Sequence, residues 1–146
     1  MPIADFTETG DLPPGVHAAT LSEVFLRFGT GSTRRRLLAR RLERIHRFAV
    51  ETSHLLRFAV FGSFITSKLE PNDVDVFMVM DDNFDVGGLA GETGLIFDHL
   101  AAQVHFGCSI FWVRRMAALG GEEAAIEDWQ IKRDGSLRGI VEVTGE

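Results

Sequence analysis

The sequence predicts an α/β (α+β) domain, a mixed β-sheet flanked by helices, with residues 1–146 forming a single domain. Three observations predict it. Short apolar runs at 55–61, 74–80 and 106–113 have the length and composition of strands. Segments with helical spacing of apolar residues separate and flank them. With 146 residues, 45% of them hydrophobic and 25% charged, the chain has the composition of a globular protein with a real core.

Residues 1–19 are rich in Pro, Gly, Thr and Asp and read as an extended N-terminal arm. Thr20-Leu21-Ser22-Glu23 matches a capping box, in which the Thr hydroxyl and the Glu carboxylate each satisfy the other residue's free N–H. Val24, Phe25 and Phe28 follow, so a short helix stops at Gly29 or Gly31. Ser32 or Thr33 can cap a second helix running to about Thr52. Its Leu38, Leu42, Ile45, Phe48, Ala49 and Thr52 form one stripe, and its arginines take the remaining surface. The strand at 74–80 is broken by Asp81-Asp82-Asn83, and Gly87-Gly88 marks a loop. Residues 89–103 suit a helix, although Gly91 and Gly94 weaken its start. After the strand at 106–113, residues 114–126 have helical composition interrupted by Gly120-Gly121. A β-hairpin of 129–133 and 136–143 about Asp134-Gly135 completes the order.

The net charge of −6 is unevenly distributed. From Thr30 to Val60 eight Arg oppose two Glu, a local +6; from Phe61 to Leu100 one Lys opposes eight acids, a local −7. An acidic protein is poorly suited to nonspecific nucleic-acid binding, yet a concentrated basic helix can present a phosphate-binding face. No apolar run reaches the roughly 18 residues a membrane-spanning helix needs, and no signal-peptide pattern opens the chain. The single Cys108 cannot form an internal disulfide. A reducing, cytoplasmic location without membrane contact is the expectation.

Most of the functional information lies between residues 58 and 80. A strand ends in Gly62-Ser63, a polar loop carries Lys68, and a second strand opens with Asp73-Val74-Asp75. Alternation along a strand puts Asp73 and Asp75 on one face. Two like charges there repel, an arrangement best explained by a divalent cation between them. The Gly62 backbone and the Ser63 hydroxyl can hold phosphates, with Lys68 neutralising charge from the loop. A bland alternative is that Asp73 caps a turn after Pro71-Asn72 and Asp75 is solvated at an edge.

Gly62-Ser63, the 11-residue step to Asp73 and the run Asn72-Asp73-Val74-Asp75-Val76 resemble the signature of the DNA polymerase beta-like nucleotidyltransferases. The likeness is to their minimal, single-domain members, many of which belong to toxin–antitoxin systems. The resemblance implies a nucleotidyltransferase-like sheet and a site using Mg²⁺ or Mn²⁺ with a nucleoside triphosphate as substrate. It implies Asp73 and Asp75 as catalytic metal ligands and Gly62, Ser63 and Lys68 as phosphate-binding residues. The segments Leu12-Pro13-Pro14-Gly15-Val16-His17 and Arg138-Gly139-Ile140-Val141-Glu142-Val143 also resemble a little-characterised group of short proteins built around such a core.

One departure stands out. Members of the resembled family usually carry a third carboxylate on the neighbouring strand. In the matching register this chain has Ser109, two residues before Phe111 as Asp75 is two before Phe77. A hydroxyl is a weak Mg²⁺ ligand and a poor base at neutral pH. Asp98, Asp128, Asp134 and Glu142 are the acids able to substitute. Three function classes therefore stay open: transfer of a nucleotidyl group to a hydroxyl of RNA or protein; a catalytically degenerate relative serving as a nucleotide- or partner-binding, antitoxin-like module; or a purely structural domain whose motif is coincidental.

The helix from Arg34 to Arg47 holds Arg34, Arg35, Arg36, Arg40, Arg41, Arg44 and Arg47. It is either a solvated face or a docking surface for RNA, such as a tRNA acceptor end, or for an acidic protein partner. Interleaved aromatics for base stacking are missing from it. His99, His105 and Cys108 lack the paired spacing of a structural zinc site and read as ordinary half-buried residues. His46 and His54 have no visible partner in the sequence.

Overall fold

The computed structural model describes residues 3–145; Met1, Pro2 and Glu146, the ends of the expected arm and domain, lie outside the described residues. The fold is a mixed α/β arrangement built on one sheet. Its strands are β1 (Val16–Ala19), β2 (Leu55–Phe61), β3 (Asp75–Met80), β4 (Ser109–Arg114) and β5 (Ile140–Val143), in the order β1-β5-β2-β3-β4. β1 runs parallel to β5 and β3 parallel to β4, while β2 is antiparallel to both β3 and β5. Among the described residues no helix is long and apolar enough to cross a membrane.

Each helix boundary has a local cause. Helix α1 (Leu21–Phe28) starts at the expected capping box, Thr20 N–H donating to Glu23 Oε1 at 2.8 Å and Glu23 N–H to Thr20 Oγ1 at 3.2 Å. Helix α2 (Thr33–Glu51) is capped by the Ser32 hydroxyl, which accepts from Arg35 N–H at 3.1 Å. Its Leu38, Leu42, Ile45 and Ala49 are fully buried, as the stripe predicts. They lie against the even-numbered face of the sheet, where the His46 ring meets Phe58 edge-on at 4.8 Å. That face carries Phe58, Val60, Val76, Met78 and Ile110, all buried. The odd-numbered face is covered differently. Trp129, on a 3-10 turn, packs on Phe61, Phe77 and Phe111 with centroids 4.4, 5.1 and 5.0 Å away.

Several sequence expectations need correction. The arm does not run free to its end: its last residues pair as β1 with β5, a partner at the other end of the chain. Four residues carry too weak a pattern to show this alone. The single helix expected at 89–103 is two, α3 (Gly91–Leu95) and α4 (His99–Phe106). Asp98 breaks the run by capping α4, its Oδ1 accepting from Ala101 N–H at 3.1 Å. The strand expected at 106–113 begins three residues later, because Gly107 ends α4 at φ 65°. Residues 114–126 yield only a 3-10 turn and α5 (Glu122–Glu127). The hairpin reduces to one bridge, Ile131 to Leu137. Its second arm instead becomes β5, inserted between β1 and β2 where two-sided pairing satisfies its backbone.

Candidate active site

The register of β2, β3 and β4 builds the site. Phe61 pairs with Asp75, and Asp75 with Ser109, so the three residues form a row at one end of the odd-numbered face. Asp75 opens β3, and Asp73 lies just before the strand, both half-buried. The Ser109 hydroxyl donates to Asp73 Oδ2 at 3.2 Å, and Gln103 Nε2 donates to Ser109 Oγ at 3.4 Å. Serine thus stands beside the acids at the position where the sequence register put it.

The turn after β2 fits closely around Asp75. Gly62 sits at φ 83°, a conformation a side-chain-bearing residue rarely adopts, and a Cβ there would overlap the Asp75 carboxylate. The backbone of the Gly62-Ser63 turn therefore lies directly against the acid. Burial first, and the Asp73 charge second, push the Asp75 carboxyl up to about 6; Arg138, the Ser109 hydroxyl and Arg133 oppose that rise.

The loop that follows the Gly62-Ser63 turn is held from behind by a residue expected on the surface. Arg35 is buried and donates to the carbonyls of Phe28 at 3.0 Å, Phe64 at 2.6 Å and Thr66 at 2.7 Å, and also to Lys68. The arginines of α2 are accordingly not all on the free surface. Arg35 is a structural clamp, Arg44 pairs with Glu92, and Arg34 donates to the Asn72 carbonyl at 3.4 Å beside Asp73. Burial lowers the Arg35 pKa from its ordinary value, but the carbonyl cage needs a cation there. Arg36, Arg40 and Arg47 remain exposed.

Two adjoining cavities share Asp75, Lys132, Arg133 and Arg138. The outer one, about 610 Å³, is lined also by Gly62, Ser63, Lys68 and Asp134. The inner one, about 300 Å³, is lined also by Phe61, Ser109, Phe111, Trp129 and Ile131. The structure thus brings Asp75, Gly62, Ser63 and Lys68 to one cleft. It adds Lys132, Arg133, Arg138 and Trp129, which sequence reasoning missed. Their one signal was three cations in the seven residues from Lys132 to Arg138, in a segment assigned to an ordinary hairpin. Arg138 Nε is buried there without a hydrogen-bond partner.

Of the substitute acids, Asp98 caps α4, Glu142 pairs with Arg57 and Asp128 is exposed; Asp134 lines the outer cavity but accepts from Ser136 N–H at 2.9 Å and from its hydroxyl at 2.6 Å. Among the described residues no group of three His, Cys, Asp or Glu is placed to hold a metal ion. A pair of carboxylates with a hydroxyl does suit Mg²⁺, which commonly takes one or two carboxylates and fills its other positions with water and substrate phosphates. The crowding of half-buried Asp75 by Asp73 fits a cation as well. The remaining candidates have local partners: His99 Nδ1 lies 3.2 Å from the Ile110 carbonyl, His105 Nε2 lies 2.8 Å from Glu92, His54 Nδ1 lies 2.8 Å from Asp81, and the Cys108 thiol, pushed up to about 11 by burial, donates to the Phe106 carbonyl.

Against known proteins, the profile of one family, described as a family of unknown function (DUF6932), matches residues 4–144. No curated protein and no solved structure matches.

Proposed function

This chain belongs to the family of unknown function DUF6932, and from the geometry of its cleft we propose that it binds a nucleoside triphosphate as its Mg²⁺ complex and moves the nucleotidyl group to a hydroxyl of RNA or protein, the hydroxyl oxygen displacing pyrophosphate from the α-phosphorus and its proton passing to water. One observation carries the reading. Asp75, pressed against a glycine turn and repelled by Asp73 beside it, lines a cavity rimmed by Lys68, Lys132, Arg133 and Arg138. Carboxylates for a metal opposite cations for phosphate make a polyphosphate site.

In this reading Asp73 and Asp75 hold the metal, and Mn²⁺ can replace Mg²⁺. Bound there, the ion supplies charge neutralisation and polarisation of the phosphate. The Gly62-Ser63 turn and Lys68 orient the terminal phosphates, while Arg138 and Arg133 hold negative charge nearest Asp75. Arg36, Arg40 and Arg47 offer the face for the acceptor, an RNA end or a partner protein such as the other half of a toxin–antitoxin pair. Buried, reduced Cys108 suits the cytoplasm.

The second reading, a nucleotide- or partner-binding module without transfer, is favoured by Ser109. It occupies the row beside Asp75 where a base would be useful and is held by Asp73 and Gln103 instead. Transfer of labelled nucleoside triphosphate onto total RNA and candidate proteins, for native protein and Ser109→Asp, separates the two. Native transfer that Ser109→Asp reduces supports the enzyme as it stands. Triphosphate binding with transfer only in Ser109→Asp supports the module. Absence of metal-dependent triphosphate binding ends the enzyme reading and leaves, of the second, only a partner-binding module.

A further inference from the structure

The inner cavity has a chemistry that phosphate binding does not use. Phe61, Phe111 and Trp129 form a ring-lined wall, with Phe61 and Trp129 inclined by only 31° and Phe111 and Trp129 by 35°. Ile131 adds apolar surface, and the cations stand on the side shared with the outer cavity. A ligand complementary to both cavities has a flat, weakly polar end and a polyanionic end, joined beside Asp75. About 300 Å³ lies at the lower end of the range typical of small-molecule pockets.

We infer that this inner chamber is the nucleobase pocket of the cleft, reading the ring system by stacking, tolerant of base identity and favouring purines. The inference rests on the triphosphate reading above. Tolerance follows from the lining. Reading a Watson–Crick edge needs several free donors and acceptors; of the chamber's five polar residues, Asp75, Arg133 and Arg138 serve the metal and the phosphates in the reading above. Ser109 is already engaged with Asp73 and Gln103, while Lys132 pairs with Asp11 at 3.3 Å. Stacking, by contrast, is available to every base and scales with ring area, so the larger purines gain more. Arg138 bridges the two chambers, and its buried, unpartnered Nε marks a donor awaiting an acceptor at their junction.

Calorimetric titration of the native protein with adenosine triphosphate, cytidine triphosphate and inorganic tripolyphosphate, each with Mg²⁺, tests this. The adenine nucleotide should bind at least about ten-fold more tightly than tripolyphosphate, with the cytidine nucleotide between them. Trp129→Ala should bring the adenine nucleotide to within about three-fold of tripolyphosphate and leave tripolyphosphate itself unchanged, whereas Trp129→Phe should keep most of the difference. If Trp129→Ala does not fold, Trp129→Leu, which fills space without an aromatic face, carries the comparison. Equal binding of nucleotide and tripolyphosphate by native protein overturns the chamber assignment and leaves the phosphate site standing. A difference undiminished without the Trp129 ring overturns it too. If neither ligand binds, the triphosphate reading fails and the chamber assignment falls with it.

Discussion

The two ends of the odd-numbered sheet face treat charge in opposite ways. At one end Arg57 on β2 donates to Glu142 at 2.7 and 2.6 Å and to Glu123 at 2.7 Å. These bonds hold the Arg57 pKa above its ordinary value despite partial burial. At the other end Asp75 is raised to about 6, crowded by Asp73 and only partly offset by cations across a cavity. Both ends pack on the same core. Charges that stabilise a fold are paired within it; charges left in deficit beside a cavity point to a missing partner from outside.

The sharpest break of this comparison is Arg57→Met. The Arg57 side chain is 13% exposed and Glu142 15%, so removing the cation strands a largely buried carboxylate. A loss of about 3 kcal/mol in denaturant unfolding is expected. A change below ~1 kcal/mol would place the two ends on the same footing.

Asp75→Asn should act in the opposite direction. Its folded pKa of about 6 lies above the unfolded 3.8. The native state therefore binds more protons between those values, and the group's favourable contribution, present below 3.8, is lost as pH rises through about 6. The metal-free variant should be more stable than native by about 2 kcal/mol at pH 7.5, with the advantage vanishing toward pH 4. Stabilisation of the native protein by Mg²⁺ should disappear in the variant, because the linkage requires the carboxylate. Melting curves at several pH values, with and without metal, check all of this.

Gly62→Ala should cost about 1–2 kcal/mol through its positive φ and the displaced Asp75 carboxylate, and should abolish Mg²⁺-dependent tripolyphosphate binding. Binding retained at native strength would show that the turn does not contact phosphate. The smallest effect is expected on α2: Arg36→Glu with Arg40→Glu should shift stability by under ~0.5 kcal/mol per site. Arg35→Met in the same helix should cost about 3 kcal/mol by uncaging four carbonyls. Equal costs would erase the distinction between clamp and free face.

Local physics made part of this protein legible from its sequence. The capping box at Thr20, the α2 stripe and β2 at 55–61 depend on residues within a few positions of one another. So does the placing of Ser109 in register with Asp75, because both strands carry a Phe two residues on. What escaped depends on partners far along the chain. β1 is a four-residue strand whose identity comes from pairing with β5, and β5, expected as a hairpin arm, finds its partners in β1 and β2 instead. Arg35 looks like its six neighbouring arginines, and only the carbonyls of Phe28, Phe64, Thr66 and Lys68, converging on it in space, make it a core residue. Arg133 and Arg138 belong to the cleft because β5 inserts beside β2 and carries the preceding loop across Asp75. The sequence by itself determined α1, α2, the central strands and the acid pair, since periodicity and capping are short-range. Only the tertiary structure decided which cations face those acids and which ring closes the chamber, because electrostatic and stacking partners are set by distance in space rather than along the chain.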